Sequence, residues 1–399
     1  MTVYLDHAAT TPMLPAALEA YTSALGLVGN PSSIHSQGQS ARRMLEEARE
    51  RVAASLGCDP IEVVFTSGGT ESVNLAIKGL FWERNLSIEA SRSPAPLSRP
   101  RPRILAPHGE HHATVDTLEW LARYEGAVVE WLPVDELGRI RLDALGAALQ
   151  QPDDIALVTL IWANNEVGTV QPVAEVVALA AEHGIPVHAD AVAAYKHLPL
   201  GFASTGLAAL SVSAHKIGGP LGIGALAVSR STSLMPLIHG GGQQRRLRSG
   251  TQDAPAAAAF GVAAGHPLDI AELARLRDRV IEGVRAAVPS AVLRGDPVGR
   301  LATNAHFTFP GCEGDSLLLL LDLAGVSVST GSACQAGVPE ASHVLLGMGV
   351  DETDARGALR ITVGHTTTDA DVDAFLAALP EAHARAVSAG LAAREVSRS

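Results

Sequence analysis

Short β-branched runs alternate along this chain with longer stretches whose apolar residues recur at helical spacing. The short runs are Glu62 to Thr66, Arg103 to Ala106, Val128 to Leu132, Ile155 to Ile161, Ile185 to His188, Ala209 to Ser213 and Ala225 to Val228. Between them, Ala41, Leu45, Ala48, Val52 and Leu56 fall on one helical face, and Ser72 to Phe81 and Val173 to Glu182 predict further helices. Apolar strands alternating with helices predict an α/β domain, a doubly wound, mostly parallel sheet covered on both faces. The Pro, Ser and Arg-rich stretch Ser91 to Pro102 interrupts this pattern and reads as a solvated surface loop. After about Gly265 the pattern changes to a long helix, Ile270 to Val288, followed by strands Ala305 to Phe309, Val326 to Ser329 and Leu359 to Val363. These predict a second, smaller α+β domain.

Composition narrows the classes. The chain has 399 residues at 47% hydrophobic, enough for one large or two ordinary packed domains. A formal charge of -12 argues against a nucleic-acid or anionic-membrane partner, which would demand a basic face. Met1 to Asp6 lacks the cationic start and apolar core of a signal peptide, and runs such as Leu317 to Leu321 are too short to span a bilayer, so a cytoplasmic protein is expected. Three cysteines, Cys58, Cys312 and Cys334, make no disulfide framework and no C-x-x-C pair, so no resident metal is expected.

The most informative run is Ser211-Val-Ser-Ala-His-Lys216-Ile-Gly-Gly-Pro220, which ends an apolar strand on a lysine among small neighbours. Such a lysine can condense with a carbonyl, and Ser213 and His215 are donors for an anion beside it. Asp190 closes another apolar stretch, Ile185-Pro-Val-His-Ala-Asp190. An acid for a pyridine nitrogen and a lysine for an aldehyde suit pyridoxal 5'-phosphate. The alternative is a surface lysine after a buried strand, and only its company argues against that.

That company lies where an open α/β sheet delivers its ligand, at the carboxyl ends of strands. Thr66-Ser-Gly-Gly-Thr-Glu-Ser72 offers free amides at a helix start, whose dipole adds about 0.3–1 kcal/mol for an anion, although such turns are often simple helix caps. Glu110-His-His112 could place an imidazole on a planar ring, or be a solvated pair of loop histidines. Asn164-Asn165 could hold a ligand oxygen or form a turn. Downstream, His239 to Thr251 clusters glycines, three arginines and a hydroxyl, an anion-binding composition that also suits a basic surface loop. Ser329-Thr-Gly-Ser-Ala-Cys334 sets a thiol in a small, exposed segment, the setting of a nucleophile, and a free thiol with a pKa of about 8.5 needs its proton removed there. Cys58 and Cys312 have no such setting and read as structural.

Ten ordered motifs resemble the cysteine desulfurases: Tyr4-Leu-Asp-His-Ala-Ala-Thr-Thr-Pro12, Gly29-Asn-Pro-Ser-Ser33, Phe65 to Ser72, Glu110-His111, Asn164-Asn-Glu-Val-Gly168, His188-Ala-Asp-Ala191, Ser213-Ala-His-Lys216, Arg248-Ser-Gly-Thr251, Thr330-Gly-Ser-Ala-Cys334 and Leu359-Arg360. The resemblance covers essentially the whole chain. It implies a fold type I pyridoxal-phosphate enzyme of the class V aminotransferase group, working as a homodimer. It also implies a division into residues 14–265, the large cofactor-binding domain, and residues 1–13 with 266–399, the small domain carrying the cysteine. Seven residues separate Cys334 from Ser342-His-Val-Leu345, which resembles the long cysteine loop of the group I enzymes that supply sulfur for iron-sulfur clusters and thiolated tRNA.

By position, the resemblance gives Lys216 the cofactor aldehyde and the substrate α-proton, Asp190 the pyridine nitrogen, and His111 stacking on the ring with proton transfer. Gly69, Thr70, Ser213 and His215 would bind the phosphate, joined by Thr251 of the other subunit. Asn165 would contact the phenolic oxygen and the substrate, and Arg360 would grip the substrate carboxylate. Cys334 would take sulfur from L-cysteine as a persulfide, releasing alanine, and pass it to an acceptor or iron-sulfur scaffold protein, transiently contacting a cluster. One departure stands out. Where the family has a glutamine that donates to the phenolic oxygen, this chain has Ala193 in Asp190-Ala-Val-Ala193-Ala-Tyr-Lys196. Asn165 could suffice, Tyr195 or Lys196 could substitute, or the activity could be weakened. A selenocysteine lyase, another class V enzyme or an impaired sulfur-transfer partner protein are the alternatives.

Overall fold

The computed structural model describes residues 2–85, 100–331 and 341–396. Cys334 and all but the last three residues of the Ser91 to Pro102 stretch lie outside the described residues.

The strands in chain order are β1 (Val3–Tyr4), β2 (Val63–Thr66), β3 (Arg103–Pro107), β4 (Val128–Leu132), β5 (Ile155–Ile161), β6 (Val187–Asp190), β7 (Ala209–Ser213), β8 (Gly224–Val228), β9 (Val292–Leu293), β10 (Asn304–Thr308), β11 (Val326–Ser327) and β12 (Ala358–Thr362). Seven of them form one sheet in the order β2-β8-β7-β6-β5-β3-β4. Pairing is parallel from β7 through β6, β5 and β3 to β4, and antiparallel on both sides of β8, so β8 alone is reversed. The order reverses between β3 and β5, the point at which such sheets open a crevice.

Every residue of β5, Ile-Ala-Leu-Val-Thr-Leu-Ile, is buried. A strand covered on both faces has no solvent side and so no polar alternation. Ile155, Val158 and Leu160 join one core, while Ala156 and Leu157 join the core on the other face. The first core includes the helix Ser36–Leu56, which ends on Gly57 in the left-handed region at φ 67. That helix packs on the helix Ala254–Gly265, where a Cβ on Gly261 would lie 3.0 Å from the Ala48 Cα. Only glycine allows so close a helix contact.

The predicted strands all appear, β4, β5 and β7 to the residue and the others with shifted ends. The strand expected at Ile185 to His188 runs Val187–Asp190, so Asp190 sits in the ladder opposite Ser211. The helix expected from Ser72 begins at Gly69, so the glycine turn is itself the helix N-terminus. Beyond the first sheet, β9, β10 and β12 form a three-stranded antiparallel sheet over a separate core that includes Phe307, Phe309 and Phe375. The expected strand Val326 to Ser329 keeps only Val326–Ser327, paired parallel with β1. Among the described residues no helix is long and apolar enough to cross a membrane.

Candidate active site

Because β2, β3, β5, β6 and β7 point the same way, their carboxyl ends converge. There a pocket of about 220 Å³ is lined by Gly69, Thr70, His111, Asn165, Asp190, Ser213, His215 and Lys216, together with Ala113, Ile161, Val192 and Ala193. The first eight are residues singled out from sequence; of the last four, only Ala193 was. Ala113, Ile161 and Val192 present backbone and aliphatic walls, for which a sequence carries no chemical signal.

Asp190 is buried at the end of β6, and its Oδ1 accepts from the Val192 amide at 2.9 Å. Burial pushes its carboxyl up to about 6, against the pull of that amide and of Lys216. A buried acid in this state favours a cationic N–H partner, which would restore its charge. Lys216 ends the turn Ala214–Lys216 after β7, and its Nζ donates to the Ala8 and Ala9 carbonyls of the N-terminal segment. Burial first, and Arg360 second, bring its amine down to about 8, with Asp6 and Asp190 opposing. Near neutrality a useful fraction is therefore the neutral, nucleophilic amine.

His111 caps the helix His112–Glu125, its Nδ1 accepting from the Ala113 amide at 3.1 Å. The neutral ring therefore carries its proton on Nε2. The side chain is open to solvent from the pocket yet walled by protein, and burial, then Lys216, lower its pKa to about 4. His215 contacts the Thr10 hydroxyl at 3.2 Å and is lowered to about 4 by burial and Lys216.

The start of the helix Gly69–Asn85 reaches the pocket, which Thr70 and the buried Ser213 also line. A Cβ on Gly69 would lie 2.7 Å from Val192 Cγ2, so glycine keeps this cradle clear. Glu71 in the same turn pairs with Arg248 at 2.9 Å. Thr251 is exposed and lines no part of this pocket in its own chain.

The two asparagines divide the two readings between them. Asn164 builds the turn, accepting from the Glu166 and Val167 amides at 2.8 and 2.9 Å, while Asn165 faces the pocket. Arg360, on β12, is almost fully buried and reaches the Asn165 carbonyl at 2.9 Å and Asp6 Oδ1 at 2.8 Å, leaving Nε without a partner. One of the substitutes considered for the missing glutamine is excluded: Tyr195 is 1% exposed, points into the core against Phe260, and bonds the Ser55 hydroxyl at 2.6 Å. Its sequence neighbourhood to Ala193 misled because the backbone turns between them. Lys196, with φ 66, lines a second cavity of about 60 Å³ that shares Asn165, Ala193 and Lys216 with the first. Cys312 is buried and Cys58 half-buried, and burial raises both thiols, to about 11 and about 12.

A doubly wound sheet that gathers a lysine, a buried acid and a glycine-opened helix N-terminus at its carboxyl edge defines a class, and comparison with known families agrees. The chain belongs to the aminotransferase class-V family, whose model matches residues 3–375. Among its relatives, the IscS-like cysteine desulfurase of Mycobacterium tuberculosis (strain ATCC 25618 / H37Rv) is 53% identical, aligning 99% of this chain with 100% of its own length. A solved NifS-like protein superposes with a TM-score of 0.83 at 33% identity, covering 96% of this chain and 99% of that one. SspA, solved in complex with cysteine, gives 0.79 at 32% identity over 92% of this chain and 100% of its own. The fold is thus that of the fold type I pyridoxal-phosphate enzymes.

Proposed function

We propose that this chain is a cysteine desulfurase that converts L-cysteine to L-alanine and receives the sulfur on Cys334. The observation carrying this reading is the convergence of Asp190, Lys216, His111 and Gly69 on one pocket, with Arg360 bonded to the carbonyl of its Asn165. Pyridoxal 5'-phosphate fits these residues: a buried carboxyl in want of a cationic partner lies in the same pocket as a glycine-cleared helix N-terminus. When bound, that cofactor supplies an electron sink at the substrate α-carbon.

The chain's own residues do the rest. Asp190 holds the pyridine nitrogen, and Gly69, Thr70, Ser213 and His215 take the phosphate. Lys216, already depressed toward 8, is the group for the aldehyde and for the α-proton. His111, with its proton on Nε2, would stack on the ring and assist proton transfers, and Asn165 would contact the phenolic oxygen and the substrate. Arg360, with its unpartnered Nε, grips the substrate carboxylate. Cys334 attacks the substrate sulfur: an S–S bond forms, the C–S bond breaks, and the carbon takes a proton to leave as alanine. The persulfide then serves an acceptor or scaffold protein of iron-sulfur or thio-cofactor and tRNA biosynthesis.

We further propose a cytoplasmic homodimer, built from residues 14–265 as one domain and residues 1–13 with 266–399 as the other. Thr251, exposed on its own chain, completes the partner's phosphate site. The test is alanine release from cysteine, with mass analysis of Cys334. A Cys334→Ser protein should bind cofactor and cysteine yet release no alanine. Undiminished release would replace the persulfide mechanism with a lyase.

A further inference from the structure

The amine of Lys216 rests on a turn 208 residues earlier in the chain. Its Nζ donates to the Ala8 carbonyl and, at 2.8 Å, to the Ala9 carbonyl, both in the turn that the Ala9 amide closes on the Asp6 carbonyl at 3.0 Å. Two neutral oxygens hold an ammonium by hydrogen bonds without locking it in an ion pair. The turn's own acid is engaged elsewhere, since Asp6 pairs with Arg360 at 2.8 Å.

That turn is fixed from several sides. Thr362, the last residue of β12, accepts from the Ala8 amide at 2.9 Å, and the Tyr4 hydroxyl spans the turn between the Asp6 and Thr10 carbonyls, at 3.0 and 2.8 Å. The ring of His7, 6% exposed, bonds the Thr11 hydroxyl at 2.7 Å. The segment is also tied to the lysine's own neighbour: the Thr10 hydroxyl meets His215 Nδ1 at 3.2 Å, and the Thr11 amide donates to the His215 carbonyl at 3.2 Å. Carbonyls and amine are thus held in register by bonds one residue from Lys216.

A lysine that serves the aldehyde and then the substrate α-proton must stand free of the aldehyde between those tasks, and an amine on a flexible stem reaches its target slowly unless something holds it. We propose that the Asp6–Ala9 turn is a receiver for the Lys216 amine, taking it on two backbone carbonyls whenever it is not bonded to the aldehyde, with Thr362 and Tyr4 as the positioning residues that hold those carbonyls. This rests on the proposed role of Lys216. Arg360, Asp6, Asp190, His111 and His215 also bear on the charge of the amine, but among the described residues none of them bonds it.

The experiment uses the full chain, cofactor-free and as holoenzyme, with three readouts. These are the pH profile of the rate at which pyridoxal phosphate attaches to Lys216, the affinity of the cofactor-free protein for pyridoxine phosphate, which has an alcohol in place of the aldehyde, and the rate at which the holoenzyme exchanges the α-proton of alanine in deuterium oxide. Acceptors favour the ammonium, so loosening them with Thr362→Val should move the midpoint of the first down by about 0.5 pH, making attachment about threefold faster near neutrality. The affinity for pyridoxine phosphate should stay within about twofold, and exchange should slow at least about threefold because the amine is no longer held between its tasks. Thr362→Ser, which keeps the hydroxyl, should restore the profile and the exchange rate. Tyr4→Phe should give the same split more weakly, and it decides the matter if Thr362→Val does not fold. Either an unmoved profile or an unslowed exchange overturns the proposal. So does a loss of pyridoxine phosphate affinity alongside the other changes that serine does not rescue, since that marks a general structural role. Should the unsubstituted enzyme form no alanine from cysteine, the desulfurase reading alone fails, and the attachment profile still decides the receiver.

Discussion

Replacing Ala193 with glutamine is the sharpest probe of the cofactor pocket. Ala193 lines both the 220 Å³ pocket and the 60 Å³ cavity behind it, so a longer side chain has room to extend from the wall. The amide would supply a second donor to the phenolic oxygen, beside Asn165. A net hydrogen bond contributes about 0.5–1.5 kcal/mol. Ordering a free glutamine could cost about as much, but the cavity walls already restrict its rotamers before the cofactor arrives, so most of the bond should be realised. We therefore expect Ala193→Gln to tighten pyridoxal phosphate binding about 2- to 10-fold and to move its absorbance maximum, measured by equilibrium dialysis on the cofactor-free protein and by titration. Tyr195→Phe is the matched control. It removes a 2.6 Å bond to Ser55, whose hydroxyl keeps its bond to the Val52 carbonyl, so it should cost about 0.5–1.5 kcal/mol of stability and leave the cofactor spectrum alone. Unchanged affinity and spectrum in Ala193→Gln would refute the reasoning and show that Asn165 or Lys196 already fills the role.

Lys216→Ala should abolish covalent cofactor attachment, since Lys78 stacks on Trp120 and Lys196 lies in the cavity behind; borohydride reduction and peptide mapping that found the label on either of those would contradict it. Glu110 is fully buried beside Asp190, and burial raises its carboxyl to about 8. Its folded pKa lies above its unfolded value, so its contribution is fully present below about 4.5 and is lost as pH rises through about 8. Glu110→Gln, which preserves the acceptor for the Ile161 amide, should therefore be increasingly stabilised relative to the parent from pH 5 to 8, and parallel urea midpoints across that range would refute the assignment. Gly261→Ala should cost at least about 1 kcal/mol by urea denaturation, because its Cβ would press on the Ala48 backbone at 3.0 Å; an unchanged midpoint would show that the two helices can part freely.

Much of this was written in the side chains. Strands buried on both faces carry no charged residue, only apolar ones with a few small hydroxyls, which is why β5 and β7 were placed to the residue. Ends were harder. The strand expected at Ile185 to His188 stopped two residues short of Asp190, which closes the apolar stretch and which its ladder partner Ser211 keeps in the sheet. Gly68-Gly69 looked like a turn because a helix N-terminus and a glycine turn share composition. The site's chemistry was legible where one residue type does one job, as with Lys216 and Asp190. Three things were not. The Ala8 and Ala9 carbonyls that hold Lys216 are backbone groups without a side-chain signal. Tyr195 points away from the pocket, which only the backbone path decides. The bond between Glu166 and Ser342 joins residues 176 apart, a distance no local pattern spans.

The pairing of β1 with β11 has a consequence for how the molecule is born. Val3 and Tyr4 leave the ribosome long before their ladder partners Val326 and Ser327, and Asp6, which meets Arg360, waits longer still. At 5–20 residues per second the roughly 320 residues between the paired strands take about 15–65 s to synthesise. The sheet from β2 to β8 can collapse in that interval, and Thr11 and Leu14 can already bond the His215 and Gly218 carbonyls, but the pairs that anchor residues 3–6 form only once the last strands arrive. The cover that the Ala8 and Ala9 carbonyls give Lys216 thus joins segments made at opposite ends of synthesis, and the order of translation sets when the strand pairs that anchor it can close.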